Sequence, residues 1–360
     1  AHQRTLRLAD GPDEVHARSI AHMEFAKHAP VPGPTANALR GNHGRAVNDT
    51  QSFSSGDMGV ARDGTRKPDY QPGLELHARY TLFGEGVRLH YEILGEQGTW
   101  LALVSGGRRS GAEFLRLARL IAARGFRVVL HDRRNTGASQ VLIEGERGEE
   151  DIWADDWVQL MQHLNAVPAF FGGGSSGARL ALLTSLRHPD AVRGLLLLRI
   201  TGGAFTAGRL PENYYGQFIR AAEQGGMAAV CATPFYQELI AADPSNQDRL
   251  MAMDPQQYMA VMRHWLQIFL QGPREPVLGM TTEALQAIRV PTWLVPGNDK
   301  THVSRHGREA AALIPGCELF ELPVADEDVP ALPFSAWGPH EETLATAMTD
   351  FMRRVGHDAH

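Results

Sequence analysis

The chain changes character near residue 80, where a polar stretch gives way to regularly spaced apolar segments. Residues 28–79 are rich in Pro, Gly, Asn, Asp and Ser and show almost no apolar periodicity. This composition is typical of a linker or a surface arm. We therefore predict that residues 1–79 form an N-terminal arm and that the compact domain begins at Tyr80.

From Tyr80 onward, apolar runs alternate with segments whose apolar residues recur at helical spacing. Two runs at 80–83 and 87–94, separated by Gly-Glu-Gly, indicate a hairpin. Strands are then predicted at 100–104, 126–130, 169–171, 192–198, 292–295 and 318–322, and helices at 114–123, 152–164, 178–186, 282–288, 305–314 and 341–355. Strands that alternate with helices indicate an α/β fold with a mostly parallel, doubly wound sheet.

Residues 203–280 break this alternation. They are rich in Met and aromatic residues and predict several helices without intervening strands. We expect a helical cap at 203–280, inserted into a core formed by residues 80–202 and 281–360.

Composition narrows the class of protein. The 360 residues carry a formal net charge of −6, and the arginines are scattered, so neither nucleic acid nor a membrane surface is an expected partner. There is no apolar run of transmembrane length and no secretory pattern in the first thirty residues. The two cysteines, Cys231 and Cys317, favour a reducing compartment. We expect a cytoplasmic protein that acts on a small molecule without a metal or cofactor, and the sequence leaves open whether it forms a homo-oligomer.

The most informative motif is a Gly-x-Ser-x-Gly turn at 173–177, between an apolar strand and an apolar helix. This is the context of a nucleophilic serine on a sharp strand-to-helix turn, where close approach requires small residues on both sides. Ser175, flanked by Gly173 and Gly177, is the predicted nucleophile. Ser176 is the competing frame, but its outer flanks include an alanine.

With this motif, residues 80–355 resemble the capped α/β-hydrolase superfamily. Two further segments carry the resemblance: Val104-Ser105-Gly106-Gly107, at the position of the oxyanion loop, and the turn at 132–139, similar to Asp-x-Arg-Gly-x-Gly-x-Ser. Asn135 replaces a glycine in that turn, and Ser105-Gly106 stands where the family usually has His-Gly. The resemblance implies an oxyanion hole made by the backbone N–H groups of Gly107 and Ser176.

The resemblance also implies the chain order serine, acid, histidine. The acid should follow a late strand, which favours Asp299 in Pro-Gly-Asn-Asp; Asp326, Glu327 and Asp328 are fallback acids. The base should follow the last strand, where His340 precedes the final helix. His302 and His306 come too early, before the last predicted strand, so we predict His340 as the base.

A second resemblance covers only residues 1–27. The segment from Leu6 to His16 is similar to the C-terminal end of acyl-CoA dehydrogenases. Because the flavin-binding core of that family is absent, we interpret the segment as a fusion remnant and expect no flavin chemistry.

Several arginines fall at or near the carboxyl ends of predicted strands, the edge at which open α/β sheets bind ligands. They are Arg108, Arg109, Arg133, Arg134, Arg179 and Arg199. In an acidic protein this clustering suggests a pocket that attracts an anionic substrate. Arg108 and Arg109, which follow Gly107, are the candidates for binding a substrate carboxylate, whereas we expect Arg134 to pair with Asp132.

Together these residues predict a serine hydrolase of the carboxylesterase or lactonase type. Ser175 would attack the carbonyl, His340 would transfer the proton, and Asp299 would orient the histidine. Hydrolysis of a carbon–carbon bond in a diketone-like acid, amide hydrolysis, perhydrolysis and a non-catalytic ligand-binding protein remain alternatives.

Overall fold

The computed structural model describes residues 79–83 and 86–357. The predicted N-terminal arm and the segment that resembles acyl-CoA dehydrogenases therefore lie outside the described residues. One eight-stranded sheet, in the order β1-β2-β4-β3-β5-β6-β7-β8, organises the described chain. Its strands are β1 Arg79–Phe83, β2 Val87–Leu94, β3 Trp100–Val104, β4 Arg127–His131, β5 Ala169–Ser175, β6 Val192–Ile200, β7 Thr292–Val295 and β8 Glu318–Leu319.

Within the described residues, the antiparallel pairings are those of β2 with its two neighbours. β1 pairs with β2 as the predicted hairpin, and β2 pairs with β4 in the same antiparallel sense. All later pairings, from β3–β4 to β7–β8, are parallel. The predicted fold class, a mostly parallel doubly wound sheet, is confirmed.

Helices cover both faces of the sheet. They are α1 Leu115–Ala122, α2 Glu149–His163, α3 Ser176–Arg187, α4 Ala204–Pro211, α5 Gln217–Cys231, α6 Pro234–Ala242, α7 Ser245–Met251, α8 Pro255–Phe269, α9 Thr282–Gln286, α10 Ser304–Leu313 and α11 Glu341–His357. Alternate residues of β3 enter different apolar clusters: Ala102 packs with α2 and α3, and Leu103 packs with α1 and α11. Both faces of the sheet are therefore buried, as its apolar strands require.

The segment between β6 and β7 holds α4 to α8 and builds an apolar cluster of its own. Tyr215, Phe218, Tyr236, Tyr258 and Trp265 are buried in this cluster. The helices coincide with the segment predicted as a cap, and most of its aromatic residues serve packing.

Local differences from the predicted elements have simple physical causes. The last strand was expected over 318–322, but β8 has only two residues, and both are exposed at the edge of the sheet. The helices predicted within 203–280 include a π-helical turn at Glu212–Gly216 directly before α5. A sequence pattern read at α-helical spacing does not identify a single wider turn of this kind.

Candidate active site

Ser175 lies at the junction of β5 and α3. Its backbone is strained, with φ 58° and ψ −123°, a region that a non-glycine residue occupies at a cost. The flanking glycines are needed for space. A β-carbon added at Gly177 would lie 2.5 Å from the carbonyl oxygen of Val104, and one at Gly173 would lie 2.7 Å from the carbonyl carbon of Gly177. The strand and helix thus meet at Ser175 as the sequence predicts for a nucleophile.

A histidine lies in contact with this serine, and an aspartate lies in contact with the histidine. The Nε2 atom of His302 lies 2.8 Å from Oγ of Ser175. On the other side of the ring, Nδ1 lies 2.8 and 2.9 Å from the two carboxylate oxygens of Asp299. Asp299, which follows β7 as predicted, also accepts backbone N–H bonds from Thr301 and Leu332, each at 2.9 Å. These contacts hold the carboxylate and the imidazole in line with Ser175.

His302 therefore occupies the position for which the sequence predicted His340. His340 is the last residue of a 3-10 segment at Phe334–His340, directly before α11, and the structure does not bring it to Ser175. The physical reason is the turn at 299–302, which is closed by a hydrogen bond from His302 N–H to the Asp299 carbonyl, 3.2 Å. This turn is tight enough for aspartate and imidazole to meet directly. The Asp-x-x-His spacing was the available signal, and the expectation that the base follows the last strand excluded it, although His302 keeps the order serine, acid, histidine.

Two further residues near Ser175 were not expected from the sequence. Thr201 follows β6, and its Oγ1 lies 3.1 Å from Oγ of Ser175. Arg199, at the end of β6, has a φ of 56°. Its Nη2 donates to Oδ2 of Asp299 at 2.6 Å and to the Leu332 carbonyl at 2.5 Å. The same nitrogen lies 3.2 Å from Nδ1 of His302.

The electrostatics of this group keep His302 neutral. Burial, and then the charge of Arg199, lower the pKa of His302 from 6.5 to about 4, although Asp299 opposes them. Burial raises the pKa of Asp299, but the hydrogen bond from His302 and the charge of Arg199 outweigh it and hold that pKa well below its usual range. At neutral pH an ionised Asp299 accepts from Nδ1–H, so Nε2 is free to accept the serine proton.

The loop after β3 passes beside the nucleophile. A β-carbon added at Gly106 would lie 2.6 Å from Cβ of Ser175. Gly107 has a φ of 54°, and its carbonyl accepts a hydrogen bond from Oγ of Ser176 at 3.3 Å. Ser176 is the first residue of α3, so its N–H has no intrahelical acceptor. Both predicted oxyanion donors therefore lie next to Ser175, and their role stays a prediction.

Arg108 is engaged elsewhere. Its guanidinium forms a two-pronged ion pair with Glu149, with Nη1 to Oε1 at 2.9 Å. Four aromatic rings surround it at 5.2 to 5.9 Å, those of Trp153, Tyr214, Tyr215 and Phe235. With its charge neutralised in this way, Arg108 does not fit the predicted carboxylate-binding role. Arg109 pairs with Glu113 at 2.9 Å and keeps about a third of its side chain exposed.

The other arginines of the cluster mainly brace the fold. Arg134 was expected to pair with Asp132, but it forms a two-pronged ion pair with Asp156 at 2.6 and 2.7 Å. Asp132 instead accepts backbone N–H bonds from Gly111 at 2.7 Å and Ala138 at 2.8 Å. Arg179, on α3, pairs with Glu150.

Across 79–83 and 86–357, no helix is both long and apolar enough to cross a membrane. In the same part of the chain, no group of three or more His, Cys, Asp or Glu side chains could hold a metal ion.

Comparison with known proteins agrees with this architecture. Residues 99–221 match the family model described as the alpha/beta hydrolase fold. The chain is 34% identical over 116 residues to uncharacterized hydrolase YraK of Bacillus subtilis, a match covering 32% of this chain and 42% of YraK. The chain therefore spans well under half of this curated relative.

Solved structures are similar over a larger part of the chain. A hydrolase from Pseudomonas aeruginosa PA01 has a TM-score of 0.52 at 21% identity and covers 76% of this chain and 98% of its own. The enol-lactonase from Burkholderia xenovorans LB400 has a TM-score of 0.51 at 19% identity and covers 76% of this chain and 100% of its own. At these identities the likeness shows the fold.

One short match concerns a flavoprotein. It is 50% identical over 40 residues to the probable electron transfer flavoprotein-ubiquinone oxidoreductase of Acinetobacter baylyi, and it covers 11% of this chain and 7% of that protein. A match of this length leaves the resemblance of residues 1–27 to acyl-CoA dehydrogenases a prediction.

Proposed function

The chain has the α/β-hydrolase fold, and we propose that it is a serine hydrolase that cleaves a carboxylic ester or a lactone. The observation that carries this proposal is the line from Ser175 to His302 to Asp299, with 2.8 Å between the reacting atoms at each step. We assign the base to His302 in place of His340. The acid and the nucleophile are those predicted from the sequence.

The proposed reaction begins when neutral His302 removes the proton of Ser175 and the serine oxygen attacks the substrate carbonyl. The negative charge on the carbonyl oxygen would be stabilised by the N–H groups of Gly107 and Ser176, helped by the positive end of α3. Asp299 stabilises the imidazolium that forms. His302 then protonates the leaving alkoxide, which leaves an acyl group on Ser175.

Hydrolysis of the acyl-enzyme would repeat these steps with water as the nucleophile. His302 takes a proton from the water, the tetrahedral intermediate collapses, and Ser175 recovers its proton. Thr201 supports this cycle, because its hydroxyl is placed to donate to Oγ of Ser175 while that oxygen donates to His302. Arg109, with about a third of its side chain exposed, stays our candidate for contact with the substrate near the triad.

The lactone alternative has specific support in one neighbour of the same fold, described as an enol-lactonase. The apolar segment between β6 and β7 would supply the acyl or alcohol pocket, since ligand sites in enzymes are predominantly apolar with few polar groups. Carbon–carbon bond hydrolysis uses a similar triad, and no particular observation favours it here.

A fluorophosphonate probe tests the proposal directly. The wild-type protein should be labelled on Ser175, and labelling should disappear in Ser175→Ala and His302→Ala. The matched controls, Ser176→Ala and His340→Ala, should retain most of it. Labelling that depends on His340 and not on His302 would reverse the assignment of the base.

A substrate panel then separates the reactions. It contains p-nitrophenyl esters of graded acyl length, simple lactones and a diketone acid. Turnover of esters or lactones that Ser175→Ala abolishes supports the proposal. Turnover of the diketone acid alone would favour carbon–carbon hydrolysis, and a folded wild-type protein that neither labels nor turns over any member would favour a binding protein.

A further inference from the structure

Among the described residues, the fully buried arginines are paired with carboxylates, with one exception near the active site. The pairs are Arg108–Glu149, Arg134–Asp156, Arg179–Glu150 and Arg199–Asp299. Arg133 is only 1% exposed, yet no carboxylate of the described residues forms an ion pair with it. A buried charge without a counter-charge is costly, so natural proteins seldom keep one without a use for it.

The contacts of Arg133 leave most of its donors unused. Its Nη2 donates to the carbonyl of Gly107, and its guanidinium lies 4.6 Å from the centre of the Trp153 ring. Within the described residues, Nε and Nη1 are buried without a hydrogen-bond acceptor. A guanidinium has five N–H donors in a planar fork, so the side facing away from Gly107 can still receive an acceptor group.

The two carboxylates nearest in charge effect to Arg133, those of Glu149 and Glu150, already form ion pairs with other arginines. Glu149 accepts from Arg108, from the Tyr215 hydroxyl at 3.0 Å and from Nδ2 of Asn135 at 3.2 Å. Glu150 is paired with Arg179. Three arginines therefore share two carboxylates in this region. Burial lowers the pKa of Arg133 to about 10, which still leaves it charged at neutral pH.

The position of Arg133 links this surplus charge to the chemistry. Gly107, whose carbonyl it binds, is the predicted oxyanion donor beside Ser175. Tyr214 stands close to the same loop, because a β-carbon added at Gly107 would lie 3.9 Å from its hydroxyl oxygen. Tyr214 belongs to the π-helical turn at Glu212–Gly216, and such turns are frequent at functional sites. A guanidinium and a phenol thus both lie beside Gly107, in the loop proposed to hold the scissile carbonyl.

We propose that Arg133, assisted by Tyr214, binds a carboxylate carried by the substrate a few bonds from the carbonyl that Ser175 attacks. This inference rests on the proposed function and names its substrate class: a monoester or lactone of a dicarboxylic acid. The carboxylate supplies the counter-charge that the protein withholds from Arg133, and the guanidinium fork binds it by two parallel N–H bonds. The role that the sequence suggested for Arg108 thereby passes to Arg133.

Binding can be measured without turnover in the Ser175→Ala protein by titration calorimetry. The ligands are succinate, glutarate and adipate, each compared with its uncharged diamide. At least one diacid should bind ten-fold or more tightly than its diamide, and Arg133→Met should remove that preference. Arg353→Met, a change at an exposed arginine of α11, is the matched control and should leave it intact. Equal binding of diacids and diamides, or no binding of either, overturns the proposal.

A kinetic comparison in the protein that retains Ser175 tests whether carboxylate binding contributes to catalysis. The substrates are the p-nitrophenyl monoester of the best diacid and the p-nitrophenyl ester of the uncharged acid of equal length. Arg133→Met should lower kcat/KM at least ten-fold for the acidic ester and less than three-fold for the neutral one. Arg133→Lys keeps the charge but loses the fork, so its kcat/KM for the acidic ester should lie between those of the wild type and Arg133→Met. It replaces the methionine variant if that variant does not fold.

The outcomes separate this inference from the proposed function. Equal losses for both esters would mean that Arg133 acts only through Gly107, and the carboxylate site would be rejected. Arg133-dependent binding of a diacid in a protein that hydrolyses no ester or lactone would keep the carboxylate site and reject ester hydrolysis.

Discussion

Replacing Arg199 by methionine should move the acid limb of the pH–activity profile to higher pH. Arg199 Nη2 lies 2.6 Å from Oδ2 of Asp299 and 3.2 Å from Nδ1 of His302. Its charge opposes protonation of His302, whose pKa burial and this charge lower to about 4. A base with a lowered pKa works at neutral pH and fails only when the pH falls through that value. In the wild type, kcat/KM should therefore fall to half near pH 4.

The expected size of the change follows from the loss of one nearby charge. Burial, the largest cause of the low pKa, remains in Arg199→Met, so the pKa of His302 should rise only part of the way to its ordinary value. A rise of about one unit corresponds to about 1.4 kcal/mol. At pH ~4.5 the neutral fraction of His302 would then be ~75% in the wild type and ~25% in the variant, so the kcat/KM of the variant would be about three-fold lower when each protein is taken relative to its own plateau.

The assay is kcat/KM for a neutral p-nitrophenyl ester from about pH 3.5 to 8, with circular dichroism at each pH to exclude unfolding. Arg179→Met is the matched control, because Arg179 is also buried and paired, but with Glu150. A folded Arg199→Met protein whose acid limb coincides with the wild-type limb would refute the reasoning. If the acid limb of Arg179→Met shifted by the same amount, the shift would follow from the loss of any buried arginine and not from the position of Arg199.

Three further predictions concern other parts of the chain. Thr201→Val should lower kcat about three- to ten-fold, the effect expected for the loss of one hydrogen bond to Ser175, and should leave the acid limb unchanged. An unchanged kcat would show that Thr201 takes no part in the reaction. Asp156→Ala leaves buried Arg134 without its carboxylate and should lower the free energy of unfolding by about 3–5 kcal/mol in urea titrations, whereas a loss below about 1 kcal/mol would contradict a buried pair. Removal of residues 1–73 should leave folding and ester turnover intact, since the catalytic residues and strands all follow; an inactive or insoluble product would show that the arm is needed.

The sequence predicted the scaffold well because the fold depends on patterns that are local in the chain. A strand, a glycine-flanked serine and a helix fall within residues 169–187, and the structure shows why each glycine is required there. The proposed acid was predictable for the same reason, since Asp299 comes in the short turn that follows the apolar strand β7. Where the pattern was weak, as at the exposed two-residue β8, the predicted boundary was wrong.

The arginines show what sequence alone cannot resolve. Their placement at the carboxyl edge of the sheet predicted a cationic site, but not which charges are neutralised. That depends on carboxylates distant in the chain: Glu149 lies 41 residues from Arg108, and Asp299 lies 100 residues from Arg199. Only the folded structure shows that Arg108 forms an ion pair with Glu149, whereas no carboxylate in the described part of the chain forms one with Arg133.

The proposed base, His302, was missed because the base was sought only after the last strand, although His302 already satisfies the order serine, acid, histidine. A catalytic histidine needs one nitrogen at the serine and the other at a carboxylate, and either can be met by any residue that the backbone brings there. In this chain the turn at 299–302 brings both groups from one loop. The later loop, where a histidine was expected, supplies instead the Leu332 N–H that holds Asp299 at 2.9 Å and the carbonyl that binds Arg199 at 2.5 Å. The loop after the last strand thus fixes the acid and its arginine, so histidines in the turn that holds the acid should be weighed as bases alongside those after the last strand.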